Sequence, residues 1–144
     1  MSVPKGKRNE SKVEFDNTYY KIHKDAVKLC CSKFGATKEQ IVEYNLYINA
    51  VISDILDDVL LLGKYIRMAN SIYPKYEYEL SERRLLQDKS IGMCFSILTK
   101  YQLVMEVLGT HENKYVNEIN NLTHEINCLK KWRLSDNKRF NNLG

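Results

Sequence analysis

The chain has 144 residues, of which 44% are apolar and 28% charged, and its formal net charge is +4. This length suits one domain able to bury a core without disulfides or metal, and the apolar share excludes a disordered body. The longest apolar run, Val59–Leu62, falls far short of the roughly 20 residues a membrane span needs. Met1–Lys12 also lacks the apolar segment of a signal peptide, so a cytoplasmic protein without a membrane partner is expected.

The positive charge is concentrated at the two ends. Residues 1–12 carry Lys5, Lys7, Arg8 and Lys12 against Glu10, and residues 130–144 carry Lys130, Lys131, Arg133, Lys138 and Arg139 against Asp136. The ends therefore sum to +3 and +4, which leaves −3 on the residues between them. A mildly acidic body with two cationic extensions is suited to a polyanion partner. The same pattern also serves as a plain solubilising terminus.

In chain order, residues 1–12 read as a flexible basic arm. A helix is predicted from about Val13 to Phe34, because Phe15, Tyr19, Ile22, Ala26, Leu29 and Cys30 recur at three- and four-residue steps. Gly35 is expected to end it in a left-handed conformation. Thr37 and Gln40 form a T-x-x-Q capping box that opens a second helix, which runs to about Ser71, before Pro74. Its stripe, Ile41, Tyr44, Ile48, Val51, Ile55, Leu62, Ile66 and Ala69, is widened by Leu46, Tyr47, Ile52, Leu56, Val59, Leu60 and Leu61. A helix apolar on most sides wants burial on most sides, so subunit contacts are expected.

After a tyrosine-rich loop (Tyr73, Tyr76, Tyr78), a third helix is predicted from about Leu80 to Leu108, with Ile91, Cys94, Leu98, Tyr101, Met105 and Leu108 inward and Gly92 as a point of close helix approach. Gly109 caps it. A fourth helix carries Tyr115, Ile119, Leu122, Ile126 and Leu129, and Trp132 closes it before a polar tail over 135–144. The expected fold class is all-α, an up-down-up-down four-helix bundle over 13–134 with basic N- and C-terminal extensions.

Catalytic and metal motifs are not found in the sequence. His23, His111 and His124 are preceded at i−3 by Tyr20, Leu108 and Asn121, so no E-x-x-H pair exists. No Gly-rich phosphate loop, G-x-S-x-G or H-E-x-x-H occurs. No catalytic residue, metal or cofactor is expected. The four cysteines, Cys30, Cys31, Cys94 and Cys128, form no CxxC pair and read as small apolar residues in a reducing compartment. Asp54, Asp57 and Asp58 share a helical face, which either holds a divalent cation or is the solvated strip of the second helix or a partner for a neighbouring arginine.

Arg83 and Arg84 sit in the expected first turn of the third helix, where the dipole disfavours cations. They therefore answer either an acidic partner such as Asp57 or Glu79, or a phosphate. Together with Lys130, Lys131, Arg133, Lys138 and Arg139 they are the candidate nucleic-acid-binding residues, with contacts to phosphates rather than bases. Trp132, between Lys131 and Arg133, is a weaker candidate for the same surface.

Four segments carry a resemblance: V-P-K-G-K-R-N-E-S-K at Val3–Lys12, M-A-N-S-I-Y-P at Met68–Pro74, the pair Arg83-Arg84, and K-K-W-R-L-S-D-N-K-R-F at Lys130–Phe140. With the four-helix layout, they make the chain similar to the accessory variability determinants of diversity-generating retroelements in bacteria and their phages. The four-helix proteins encoded in ribosomal-RNA intervening sequences share that fold. The resemblance implies a barrel-like homopentamer with a basic surface, non-catalytic, that binds a reverse transcriptase and its template RNA and supports mutagenic reverse transcription. RNA versus DNA preference stays open. The alternative is a structural or protein-interaction bundle without nucleic-acid binding.

Overall fold

The computed structural model describes residues 10–110 and 112–143. Of the expected basic arm over 1–12, residues 1–9 lie outside the described residues, and 10–12 belong to the first helix rather than to an arm. Those described fold into five α-helices with no strand among them: α1 (Glu10–Cys31), α2 (Lys38–Glu43), α3 (Asn45–Ser71), α4 (Glu77–Leu108) and α5 (Val116–Arg139). The class is all-α, as the periodicities predict.

The predicted stripe of α1 is buried at Phe15, Tyr19, Ile22, Ala26 and Cys30. The helix ends three residues before Phe34, because Lys33, Phe34 and Gly35 all take positive φ, of 52°, 60° and 70°. A left-handed phenylalanine is costly and persists only where its surroundings over-determine it. Here the Phe34 ring is buried in the core and its carbonyl accepts a 2.8 Å hydrogen bond from the Tyr115 hydroxyl.

The capping box is present: the Gln40 N–H donates to Thr37 Oγ1 at 3.1 Å and the Thr37 N–H to Gln40 Oε1 at 3.0 Å. Gln40 Nε2 then donates to the Leu108 carbonyl at 2.8 Å, which fastens α2 to the end of α4. The expected single second helix is broken at Tyr44 (φ −106°, ψ 25°). α2 buries no side chain, whereas α3 buries Ile48, Ile55, Val59, Leu62, Ile66 and Ala69. The core therefore holds α3 alone.

α4 begins at Glu77, three residues before the expected start, because Glu79 Oε1 accepts the N–H groups of Lys75 (3.0 Å) and Tyr76 (3.1 Å). Gly109 (φ 64°) closes it with the Thr110 N–H on the Met105 carbonyl at 2.9 Å, a Schellman arrangement. α5 corrects the sequence reading most. It does not stop at Trp132 but continues to Arg139, so most of the expected polar tail is helix, with Asp136 and Phe140 buried.

The long helices pack α1 on α3 and α5, and α4 on α3 and α5. Phe15 stacks on Trp132 (4.5 Å) and Asn121 bonds Asp25 (2.8 Å), so α1 and α5 run antiparallel. Close approach of α1 to α3 occurs at Gly63, where an added Cβ would lie 2.3 Å from the Tyr19 hydroxyl. That hydroxyl donates to the Val59 carbonyl at 3.0 Å. Gly92, expected to serve this purpose, faces open space instead.

The outward apolar surface lies only partly where the sequence places it. Tyr47, Val51, Ile52 and Leu56 of α3 are half-buried against the core, and Leu46 and Leu60 remain exposed. α4 also turns several apolar residues to solvent: Leu85, Phe95, Leu103 and Val107. It is also long and apolar enough to cross a membrane, by length and composition, a property invisible to a search for unbroken apolar runs. Arg83, Gln87 and Lys100 along it are engaged by neighbouring helices.

Candidate nucleic-acid interface

The α4–α5 seam is an antiparallel ladder of polar contacts, built from the residues the sequence marks as candidate cation sites. At its centre Arg83 is 4% exposed and Asp136 fully buried. Arg83 Nε donates to Asp136 Oδ2 at 2.6 Å and Nη2 to Oδ1 at 3.1 Å, the bidentate fork that suits guanidinium and carboxylate. Nη1 donates to the Ile72 carbonyl at 2.7 Å, placing a cation at the negative end of α3. The guanidinium lies over Trp132 and Phe140, 5.1 and 5.7 Å from the ring centres. Gln87 Nε2 adds a 2.7 Å bond to Asp136 Oδ2.

Arg83 is therefore corrected from candidate phosphate ligand to structural cation: its donors are directed inward. The partners named from sequence, Asp57 and Glu79, are also superseded. Because α4 starts at Glu77, Arg83 lies beyond the first turn, and the dipole argument applied to it falls away. Trp132 is likewise core and not surface, being 1% exposed.

The neighbouring rungs differ in exposure. Arg84, half-buried, donates through Nη2 to Asn137 Oδ1 at 2.8 Å. Arg133 pairs with Asp88 at 2.5 Å, a largely solvated contact of small energetic weight. Lys130 Nζ lies 5.8 Å from the Phe95 ring centre. Lys131 and Lys138 are two turns apart and line a shallow surface depression with Leu134 and Ser135. Arg139 lies over Phe140 at 5.1 Å. The seven sequence-nominated residues thus divide into a buried one (Arg83), two seam residues (Arg84, Arg133) and four exposed cations (Lys130, Lys131, Lys138, Arg139).

The other clusters resolve into structural roles. Lys100 Nζ reaches Asp58 at 2.5 Å and Asp54 at 2.8 Å, and Ser96 Oγ donates to Asp58 at 2.9 Å. The acidic face of α3 is thus tied to α4 by a lysine. Burial acts to lower the Lys100 pKa, but the hydrogen bonds to Asp54 and Asp58 outweigh it and raise the value. Tyr73, Tyr76 and Tyr78 are exposed; Tyr76 and Tyr78 stack on one another at 5.8 Å, and Tyr73 meets Phe140 edge-on. Cys30, Cys94 and Cys128 are buried thiols and Cys31 is exposed.

A second cationic surface escaped the sequence reading. An open groove of about 580 Å³ between α1 and α3 is lined by Tyr19, Tyr20, His23, Lys24, Leu60, Gly63, Lys64, Arg67 and Met68. Its cations come from two helices forty residues apart, so no local run of charge announces it. Comparisons with family models, with curated proteins and with solved structures find no match to this chain.

Proposed function

We propose that the chain is a non-catalytic, nucleic-acid-binding accessory protein of a diversity-generating retroelement, acting in the cytoplasm with a reverse transcriptase and its template RNA. In this reading α1, α3, α4 and α5 form an up-down-up-down four-helix bundle that assembles as a homopentamer. The resemblance of Met68–Pro74, Arg83-Arg84 and Lys130–Phe140 to that family supports the partner and the assembly.

The observation that carries the reading is the fate of Asp136. It is the only acidic residue in 130–144, and it is buried against Arg83. The exposed cations Lys130, Lys131, Lys138 and Arg139 therefore face solvent without a carboxylate from their own segment. Cations in the last turn of α5 also match its dipole. Such a surface attracts phosphates irrespective of base sequence, and repetition around a ring would multiply the effect.

The exposed Leu85, Phe95, Leu103 and Val107 of α4 favour a second reading, a protein-interaction bundle of a phage or mobile element whose cations only maintain solubility. Binding of the full chain to labelled single-stranded RNA, followed by fluorescence anisotropy at low salt, separates the two. The first reading predicts binding that weakens steeply with added salt. No binding at low salt leaves the second.

A further inference from the structure

The groove between α1 and α3 has no part in the α4–α5 ladder, yet its chemistry is as directed as any on the molecule. Three permanent cations line it, Lys24 from α1 and Lys64 and Arg67 from α3, with His23 beside them and no carboxylate among its nine lining residues. Its rim carries exposed apolar and aromatic surface: Tyr20 is 60%, Leu60 58% and Met68 41% exposed. Its floor is fixed, because Tyr19 is buried over Gly63 and hydrogen-bonded to Val59, so the space does not depend on a side chain moving aside.

Converging cations with one accessible aromatic ring match a ligand that combines phosphate with a planar, stackable group. The volume lies within the range of pockets that hold small organic ligands. Base-on-tyrosine stacking with backbone phosphates on lysine and arginine is how single strands are held without base reading. The groove is open to solvent rather than enclosed, which suits a strand lying in it more than a closed ligand.

Its place in the fold adds a second argument. Phe15 stacks on Trp132, and Arg83 joins the Ile72 carbonyl to Asp136. The start of α1, the end of α3 and the end of α5 therefore meet at one end of the molecule. Met68, the groove residue nearest the end of α3, and the α5 cations Lys138 and Arg139 lie toward that end.

We infer that the α1–α3 groove binds a nucleotide unit of a single strand, with Lys24, Lys64 and Arg67 on its phosphates and Tyr20 against a base. This deepens the nucleic-acid reading above and rests on it. The test is anisotropy of a labelled oligouridylate with the full-length chain and three variants: Lys64→Gln with Arg67→Gln, Tyr20→Ala, and Lys131→Gln with Lys138→Gln. All these side chains are solvent-exposed, and circular dichroism checks that helicity is kept.

The groove double variant is expected to flatten the salt slope by about 1.4, two phosphate contacts at about 0.7 each. Tyr20→Ala is expected to weaken binding at least about fivefold, the low end of one lost base stack. The α5 double variant should weaken binding independently of both. Uridine monophosphate at millimolar concentration should not compete, since it offers one phosphate where a strand offers several. Displacement by the mononucleotide would make this a free-nucleotide site and overturn the strand. Parent-like binding by both groove variants would overturn the inference while the α5 variant still tested the wider reading. Failure of the parent chain itself to bind RNA would overturn the wider reading and this inference together.

Discussion

Arg83 and Asp136, fifty-three residues apart, form a bidentate ion pair closed off from water between the rings of Trp132 and Phe140. Through the Ile72 carbonyl the same guanidinium also holds the end of α3. One side chain therefore joins three helices, and it removes from the surface the one acid within 130–144. Removing either partner alone leaves a buried charge, which costs about 3–5 kcal/mol, whereas replacing both with apolar residues is often close to neutral. Asp136→Ala is expected to lower the stability measured by urea unfolding by that amount. Arg83→Met with Asp136→Leu should recover most of the loss. A mild effect of Asp136→Ala would show that the pair is solvated.

The two helix-interior glycines, Gly63 and Gly92, should respond to alanine in opposite directions. At Gly63 the new methyl collides with the Tyr19 ring and hydroxyl, so Gly63→Ala should cost about 1–3 kcal/mol, the usual penalty for overpacking. At Gly92 it meets nothing, so Gly92→Ala should gain up to about 1 kcal/mol from helix propensity. Denaturant midpoints of the two variants check this. A stabilising Gly63→Ala would mean that α1 and α3 are farther apart.

Alkaline pH should destabilise the fold through its buried thiols and phenols. Burial, with Cys31 adjacent, pushes the Cys30 thiol up to about 11, and burial raises Cys94 and Tyr101 further still. A group whose folded pKa exceeds its unfolded value contributes stability that is present below the unfolded pKa and lost as pH rises through the folded one. The unfolding midpoint is therefore expected to fall as pH is raised from about 8.5 toward 11, the window between a free thiol and buried Cys30. Because the thiolate is the reactive form, native chain at pH 8 should label quickly at Cys31 alone, and all four cysteines should label after unfolding. Rapid labelling of Cys94 in the native chain would contradict its burial.

The oligomer is expected to be a pentamer that uses the apolar face of α4. Light scattering should return about five times the 16.9 kDa chain mass, and Phe95→Asp with Leu103→Asp should dissociate it without loss of helix. A parent chain of monomer mass would refute the assembly.

Much of the fold could be read from the sequence because it is encoded by local periodicity and local caps. The α1 stripe, the Thr37–Gln40 box, the stop before Pro74 and the Gly109 cap all lie within a few residues of their cause. Heptad register was harder to read: Ile97 and Val104 are fully buried, while Ile91 and Leu98, chosen as inward positions, are half-buried. α4 is apolar on several sides, so its stripe does not single out one face. The site was less legible still. A basic string such as Lys130–Arg139 gives no sign that Asp136 points inward, since its partner is fifty-three residues away. Nor could sequence reveal that Arg83 is structural or that Lys24, Lys64 and Arg67 converge. Those facts depend on which helices become neighbours.

The central claim is that the exposed cations of α5 bind nucleic-acid phosphates, and a salt titration of single-stranded RNA binding tests it most directly. The parent chain is to be compared with a variant carrying Lys130→Gln, Lys131→Gln and Lys138→Gln, with circular dichroism as the folding control. If each lysine neutralises one phosphate, the variant should lose affinity and its slope of log affinity against log salt should be shallower by about 2. Equal affinities and equal slopes in parent and variant would contradict the account.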